Sequence, residues 1–527
     1  MSRSSPGVGP TANAMLLAEI QVPTHMTNGT RLAAVDLGSN SFRLEIGRID
    51  HGQFYRTEYL KETVRQGGGL DDDRNLTPEA MQRGWDCLAR FGERLAGFNP
   101  NQVRAVATQT LREARNRDEF LSRANKVLGF PINIIAGREE ARLIYLGVAE
   151  ALPQSDERRL VIDIGGRSTE LILGQGHSPQ VMESFRVGSI AWSTRYFPDQ
   201  QFTPHAFQMA EIAAKAVLDE AMNIYRRDTW DMAYGSAGTV NAVGDVLAAS
   251  GWPAGLISRE GLDWLLGKLL SAQSADRLRL PGLKDDRRPI MGGGLSIVRA
   301  LFDLLQIDEV VHATGGLRHG LLYDLTGREK GQTDVRAQSI QRLASKFGTD
   351  RAHAERVAKA ADHFLGCLWA ESRPPGALFC EKARQTLGWA AQLHEIGSHV
   401  SHSDHHKHGA YILNHADAMG FSISELQELS MLVLGQKGKM KKLPFDFEND
   451  GLMHQVLALR LAVAVCHARR DPEISGLTLS LDPIVPRRFN LTYPASWAAS
   501  FPQSAHLLRE EAVAWQRTPW VLTVTPT

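Results

Sequence analysis

The chain is short of several things. Only four of its 527 residues are cysteine (Cys87, Cys367, Cys380 and Cys466), and their spacing matches no metal-ligand pattern. Reduced thiols in a reducing cytosol are therefore expected, not a disulfide framework. No apolar run approaches the ~18 residues that cross a bilayer. There is no excess charge of one sign: Lys and Arg number 59, and so do Asp and Glu. That removes a global electrostatic argument for nucleic acid or membrane binding, so any polyanion site must come from local clustering. The first thirty residues lack the uninterrupted apolar core of a signal peptide, because Glu19 breaks their one short patch. They read as a flexible extension.

What is present is an ordinary globular composition, 43% hydrophobic and 22% charged, over a length that suits several domains. Residues 160–173 read LVIDIGGRSTELIL, an apolar strand, Asp163, a turn of Gly165, Gly166, Arg167, Ser168 and Thr169, then a second strand. Residues 31–49 repeat this grammar with Asp36 followed by Gly38, Ser39, Asn40 and Ser41. One Asp-x-Gly turn is common in hairpins. Two, each opening a segment of alternating strand and helix signals, predict a duplicated α/β fold. Glycines let backbone N–H groups approach phosphate closely, and the hydroxyls add hydrogen bonds. Asp163, at a strand end, is placed to hold a cation.

The first half is expected over 31–144. Its helix begins at Thr77-Pro78-Glu79, an N-cap followed by proline. After a buried strand at 103–107, a helix is expected to continue from TQTLREARN through Lys126. Arg112 lies shortly after a strand end, where α/β proteins bind ligands, and it suits a phosphate clamp or a surface position equally. Glu139 and Glu140 open a later helix, either as dipole compensation or with a general base among them. The second half is expected over 145–328, with small-residue turns at GSAGT and GGLRHG. From 329 to 470 the pattern changes to long helices. These carry a histidine cluster (His394, His399, His402, His405, His406, His408 and His415) that reads as a metal site or as surface histidines. Lys437, Lys439, Lys441 and Lys442 form the local basic run, either a solvated loop or a polyanion path. Alternating strand-like runs over 471–527 predict a small α+β cap.

The ordered motifs DLGSNSF, TLREA, GREEARLIYLGV, VIDIGGRSTEL, GSAGT and GGLRHGLLY together resemble the exopolyphosphatase and guanosine pentaphosphate phosphohydrolase family, of the long bacterial type. The resemblance implies two actin-like, ribonuclease-H-type domains, an HD-like helical domain and the cap. It implies Mg²⁺-dependent, processive hydrolysis of the terminal phosphoanhydride of inorganic polyphosphate. Guanosine pentaphosphate hydrolysis is the alternative, and a non-catalytic polyphosphate or alarmone sensor is the alternative of another class. Carried onto this chain, Glu140 is the general base and Arg112 the family's arginine. Gly38 to Ser41 and Gly165 to Thr169 bind phosphate, Asp163, Glu170 and Asp36 attend the metal, and the lysines from Lys437 to Lys442 line the polymer path. A homodimer and a cytoplasmic place, at most peripheral to the inner membrane, are also implied. Arg138, Arg167 and Ala237 depart from the usual motif residues.

Overall fold

Each Asp-x-Gly turn closes a hairpin that nucleates a sheet. In the computed structural model, which describes residues 29–50, 53–153, 155–329, 335–371 and 377–527, the first sheet has five strands. They are β1 (Arg31–Leu37), β2 (Ser41–Asp50), β3 (Gln53–Thr63), β4 (Val103–Ala107) and β5 (Ile132–Ile134), in the order β3-β2-β1-β4-β5. The second sheet is built from β6 (Arg158–Ile164), β7 (Thr169–Gln175), β8 (Ser178–Phe185), β9 (Met232–Ser236), β10 (Leu256–Ser258) and β11 (Glu309–His312), in the order β10-β11-β9-β6-β7-β8. Read from its far edge, β8-β7-β6-β9-β11 repeats the first sheet strand for strand. In both, the hairpin is antiparallel and the next two strands are parallel. The repeat extends to register: Asp36 lies opposite Arg43, and Asp163 opposite Glu170.

β1 and β6 are buried on both faces, as near-continuous apolar runs require. The first sheet packs its outer helices through Phe91, Phe120 and Leu128. The second does so through Trp192, Phe207, Tyr225 and Phe302. The helix expected to run through Lys126 is broken in two, Gln109–Glu113 and Arg117–Leu128. Asn116 explains the break. Its side-chain carbonyl accepts from Leu76 N at 2.8 Å and its amide donates to Leu76 O at 3.0 Å, so residues 114–116 serve the neighbouring loop.

The halves meet through two helices, Gly137–Glu150 and Leu317–Glu329. The position 144/145, taken from sequence as the boundary between halves, lies inside the first of these. The helices cross where both are glycine. A Cβ built on Gly147 would lie 2.1 Å from Gly316 O, and one on Gly320 would lie 1.8 Å from Leu143 O. Only glycine permits that approach. Behind the crossing, Glu139 accepts from Arg142 and Arg104, and Asp324 pairs with the same two arginines.

The remaining chain is helical, then closes with the three-stranded sheet β12 (Thr478–Leu481), β13 (Arg488–Tyr493) and β14 (Val521–Pro526). Helices and sheet share one apolar core, with Phe489 stacked on Trp520 at 4.7 Å and edge-on to Trp515. This region docks on the helix Gly137–Glu150 and the strand end before it: Gly420 N donates to Glu139 Oε2 at 2.8 Å, and Ser422 bridges to Ile135. Residues 1–28 of the expected extension lie outside the described residues.

Candidate active site

Between the halves lies a cleft of about 380 Å³. Its floor is the pair of hairpin turns. Asp36, Gly38, Ser39, Asn40 and Ser41 line it from one side, and Asp163, Gly165, Gly166 and Ser168 from the other. Ser39 Oγ accepts from the Thr110 hydroxyl at 2.8 Å, which leaves its own proton to donate into the cleft. Glu140 enters from the first turn of its helix. Arg112 stands behind it. Its Nη1 donates to Glu140 Oε2 and to Ile135 O, both at 2.8 Å, and its Nε donates to Gln109 Oε1 at 2.9 Å. Among the described residues Arg112 Nη2 has no hydrogen-bond partner. A guanidinium so held has one donor unspent.

The two hairpins differ where the register is the same. Asp36 is neutralised by Arg43, whose Nη1 lies 3.1 Å from Oδ2. Asp163 faces Glu170, a like charge, across its own hairpin. Burial pushes the Asp163 carboxyl up to about 7, against the hydrogen bond it accepts from Ser236 and with the help of Glu140. Glu170 is raised well above the usual carboxylate range by burial, Glu140 and Asp163, although Ser184 Oγ donates to it at 2.8 Å. Glu140 is raised by burial against the pull of Arg112. Four buried carboxylates, Asp36, Glu140, Asp163 and Glu170, thus gather around two guanidinium groups, and the crowding of like charge shows in the raised Asp163 and Glu170.

Several residues expected at the phosphate stand back from the cleft. Arg167 straps the halves together: Nη2 pairs with Glu113 at 2.6 Å and Nη1 donates to Gly67 O at 3.1 Å. The Thr169 hydroxyl is spent on Val187 O at 2.6 Å. Glu170 lies behind Asp163, outside the lining. Lys437, Lys439 and Lys441 are exposed on the helical region, around buried Met440, and do not line the cleft; the Lys442 side chain lies outside the described residues. The cleft's cations are instead Arg43, Lys61, Lys284, Arg287 and Arg318. The Lys61 ammonium is held below its ordinary value by burial and then by Arg287, Arg43 and Lys284, a crowding that an anion would relieve. The sequence cue for two of them is the charged run KDDRR after Gly282.

A profile of the Ppx/GppA phosphatase family matches residues 46–329, and one of Ppx/GppA phosphatase, domain III, matches residues 335–512. The chain belongs to the Ppx/GppA phosphatase family. Phosphoanhydride hydrolysis is therefore its class of chemistry. It is 36% identical over 498 residues to a Vibrio atlanticus protein named guanosine-5′-triphosphate,3′-diphosphate pyrophosphatase, covering 93% of this chain and 97% of that relative. An Aeromonas hydrophila protein of the same name is 35% identical over 499 residues, 94% and 99% of the two chains. A solved exopolyphosphatase-like protein matches 57% of this chain and 99% of its own at 24% identity and a TM-score of 0.52. An exopolyphosphatase from Cytophaga hutchinsonii matches 57% and 98% at 24% identity and a TM-score of 0.50. These structures show the actin-like fold of the Ppx/GppA phosphatases for the 57% of this chain that they cover. Among the described residues no helix is long and apolar enough to cross a membrane.

Proposed function

We propose that this Ppx/GppA phosphatase removes the terminal 5′ phosphate of guanosine pentaphosphate. The observation that carries this reading is the end-to-end similarity, at 36% identity, to a relative named for that substrate. Inorganic polyphosphate, which the motif order put first, presents the same terminal anhydride, and the exopolyphosphatase from Cytophaga hutchinsonii is similar over 57% of this chain at 24% identity. The cations at Lys61, Lys284 and Arg287, beyond the hairpin turns, suit a second phosphate group on the same ligand.

Glu140 is the base in this proposal. Burial raises its proton affinity toward what proton abstraction at neutral pH needs. It takes a proton from water while the water oxygen bonds the terminal phosphorus. The bond from that phosphorus to the bridging oxygen breaks in line, and guanosine tetraphosphate leaves with the electron pair. Arg112, from behind, orients Glu140 through the 2.8 Å bond from Nη1 and adds its positive charge to the field at the transferred group. Ser39, Ser41 and Ser168 and the glycine backbones fix the phosphate. Asp163 and Asp36, which line the cleft, would hold a divalent cation, expected to be Mg²⁺, with Glu170 acting from behind Asp163; when bound the ion neutralises phosphate oxygens.

The test is orthophosphate release from guanosine pentaphosphate and from long-chain polyphosphate, for wild type and Glu140→Gln. The expected result is faster release from the pentaphosphate, falling by ~10²-fold or more in the variant, as loss of a general base entails. Faster release from polyphosphate reverses the substrate assignment. Binding of either with no release from wild type makes the chain a sensor.

A further inference from the structure

The histidine cluster of the helical region splits in the structure. His399, His402 and His415 are on the surface, whereas His394 is 3% exposed and meets a residue far away in sequence. That residue is His353, in the first turn of the helix Arg351–Glu371. It is 5% exposed, and the two imidazole centroids are 5.3 Å apart. Glu395 follows His394, at the end of the segment after helix Ala377–Gln392. One ligand-type atom from each of His353, His394 and Glu395 falls within 4.8 Å of the others. Among the described residues no other group of His, Cys, Asp and Glu meets that spacing.

Two details of hydrogen bonding bear on what this group can hold. His394 Nδ1 lies 2.7 Å from Ala391 O, so Nδ1 carries the proton and Nε2 keeps a lone pair. Among the described residues His353 Nδ1 has no hydrogen-bond partner despite its burial. A buried polar atom without a partner is costly, and a bound ion removes that cost. Arg469 takes only Oε1 of Glu395, at 2.6 Å, and its other arm pairs with Asp350 at 3.0 Å, so Oε2 remains for a ligand.

We infer that His353, His394 and Glu395 form a second metal site, for a divalent transition ion of the zinc type, separate from the cleft. The donor set is two imidazole nitrogens and one carboxylate oxygen. Imidazole suits zinc and its neighbours, whereas the carboxylate oxygens of Asp36 and Asp163 in the cleft suit magnesium, so the two sites select different ions. A three-residue set leaves the fourth tetrahedral position to water. The ion would pin the start of helix Arg351–Glu371 to the end of helix Ala377–Gln392.

The test uses the full chain carrying Asp163→Asn, which weakens the cleft as a competing site. The protein is stripped with chelator, loaded with Zn²⁺, dialysed and analysed for zinc per chain. Co²⁺ serves as a spectroscopic probe in a parallel sample. One zinc per chain, with the visible bands of tetrahedral Co²⁺, is expected, and both are lost on adding His353→Gln. If His353→Gln fails to fold, Glu395→Gln provides the same readout with its shape preserved. Arg469→Gln, which removes a nearby positive charge, is expected to tighten zinc binding several-fold. Equal zinc in the parent and in the ligand variant would place the ion on the surface histidines and overturn the inference. So would retention of no zinc by the parent.

Discussion

Gly320→Ala puts one methyl group where two helix backbones touch. The added Cβ would lie 1.8 Å from Leu143 O and 2.6 Å from its carbonyl carbon. Real contacts of that kind are not found below 3.0 Å, so the helices must part by more than about 1 Å, an overpacking that typically costs ~1–3 kcal/mol. Neither neighbour can yield, because both sides of the contact are main chain. Leu143 sits one turn beyond Glu140 on the same helix, so the displacement carries the glutamate with it. A shift of ~1 Å at a reacting group is worth about 10²-fold in rate. It also stretches the 2.8 Å bond to Arg112 past hydrogen-bonding range. The expectation is therefore a lower melting temperature together with a loss of kcat on that order, read by thermal unfolding and orthophosphate release. Gly267→Ala is the control. It lies within the helix Arg259–Ala272 with no atom within 4 Å of its added Cβ. Alanine's better helix propensity, ~1 kcal/mol, should leave that variant as stable as the parent or more so. Wild-type stability in Gly320→Ala would refute the packing argument. A lowered melting temperature with unchanged kcat would refute the link from the crossing to Glu140.

Other outcomes follow from the same geometry. Burial alone would raise Glu139, but Arg142, Arg104 and the Gly420 N–H hold it below its ordinary 4.5. Its contribution is therefore present above about pH 4.5 and lost as the pH falls through the depressed value. Glu139→Gln should cost ~3–5 kcal/mol at neutral pH, as breaking a buried pair does. The melting-temperature gap to wild type should then close on acidification; a gap that stays constant from neutral to acid pH would count against this account. Burial also pushes the Cys466 thiol up to about 11, and Cys87 higher, whereas Cys367 and Cys380 are only half-buried. Titration of the native protein with a thiol reagent should find no more than two reactive cysteines, the others appearing in denaturant.

What the sequence made legible was local. Asp36 and Asp163 announce their hairpins because an Asp-x-Gly turn between two apolar runs has few other readings, and Thr77 announces its helix by capping it. What it hid depends on chain segments meeting at long range. Lys284 and Arg287 share the charged run KDDRR, but nothing near Lys61 in the sequence ties it to them, and only the fold brings all three to the cleft. Arg167 read as a phosphate ligand because it stands in a phosphate turn, yet Glu113 comes from the other half to claim it. His353 carries no spacing relation to His394, and only the packing of two helices brings them together. The break at Ala114 was masked by helix-forming neighbours and is set by Asn116 bonding a loop forty residues away.

The paired hairpins have a wider meaning. A chain made of two similar halves encloses a single transferred group, which cannot be symmetric about the line between them. One half has to give up part of the shared inheritance. Here the surrender is one side chain at one register position, arginine opposite Asp36 and glutamate opposite Asp163. The first copy becomes an electrically closed strut, and the second keeps two carboxyl groups with no cation opposite them in the hairpin. The asymmetry that a reaction needs is thus written at a single cross-strand position, while the scaffold around it stays twofold.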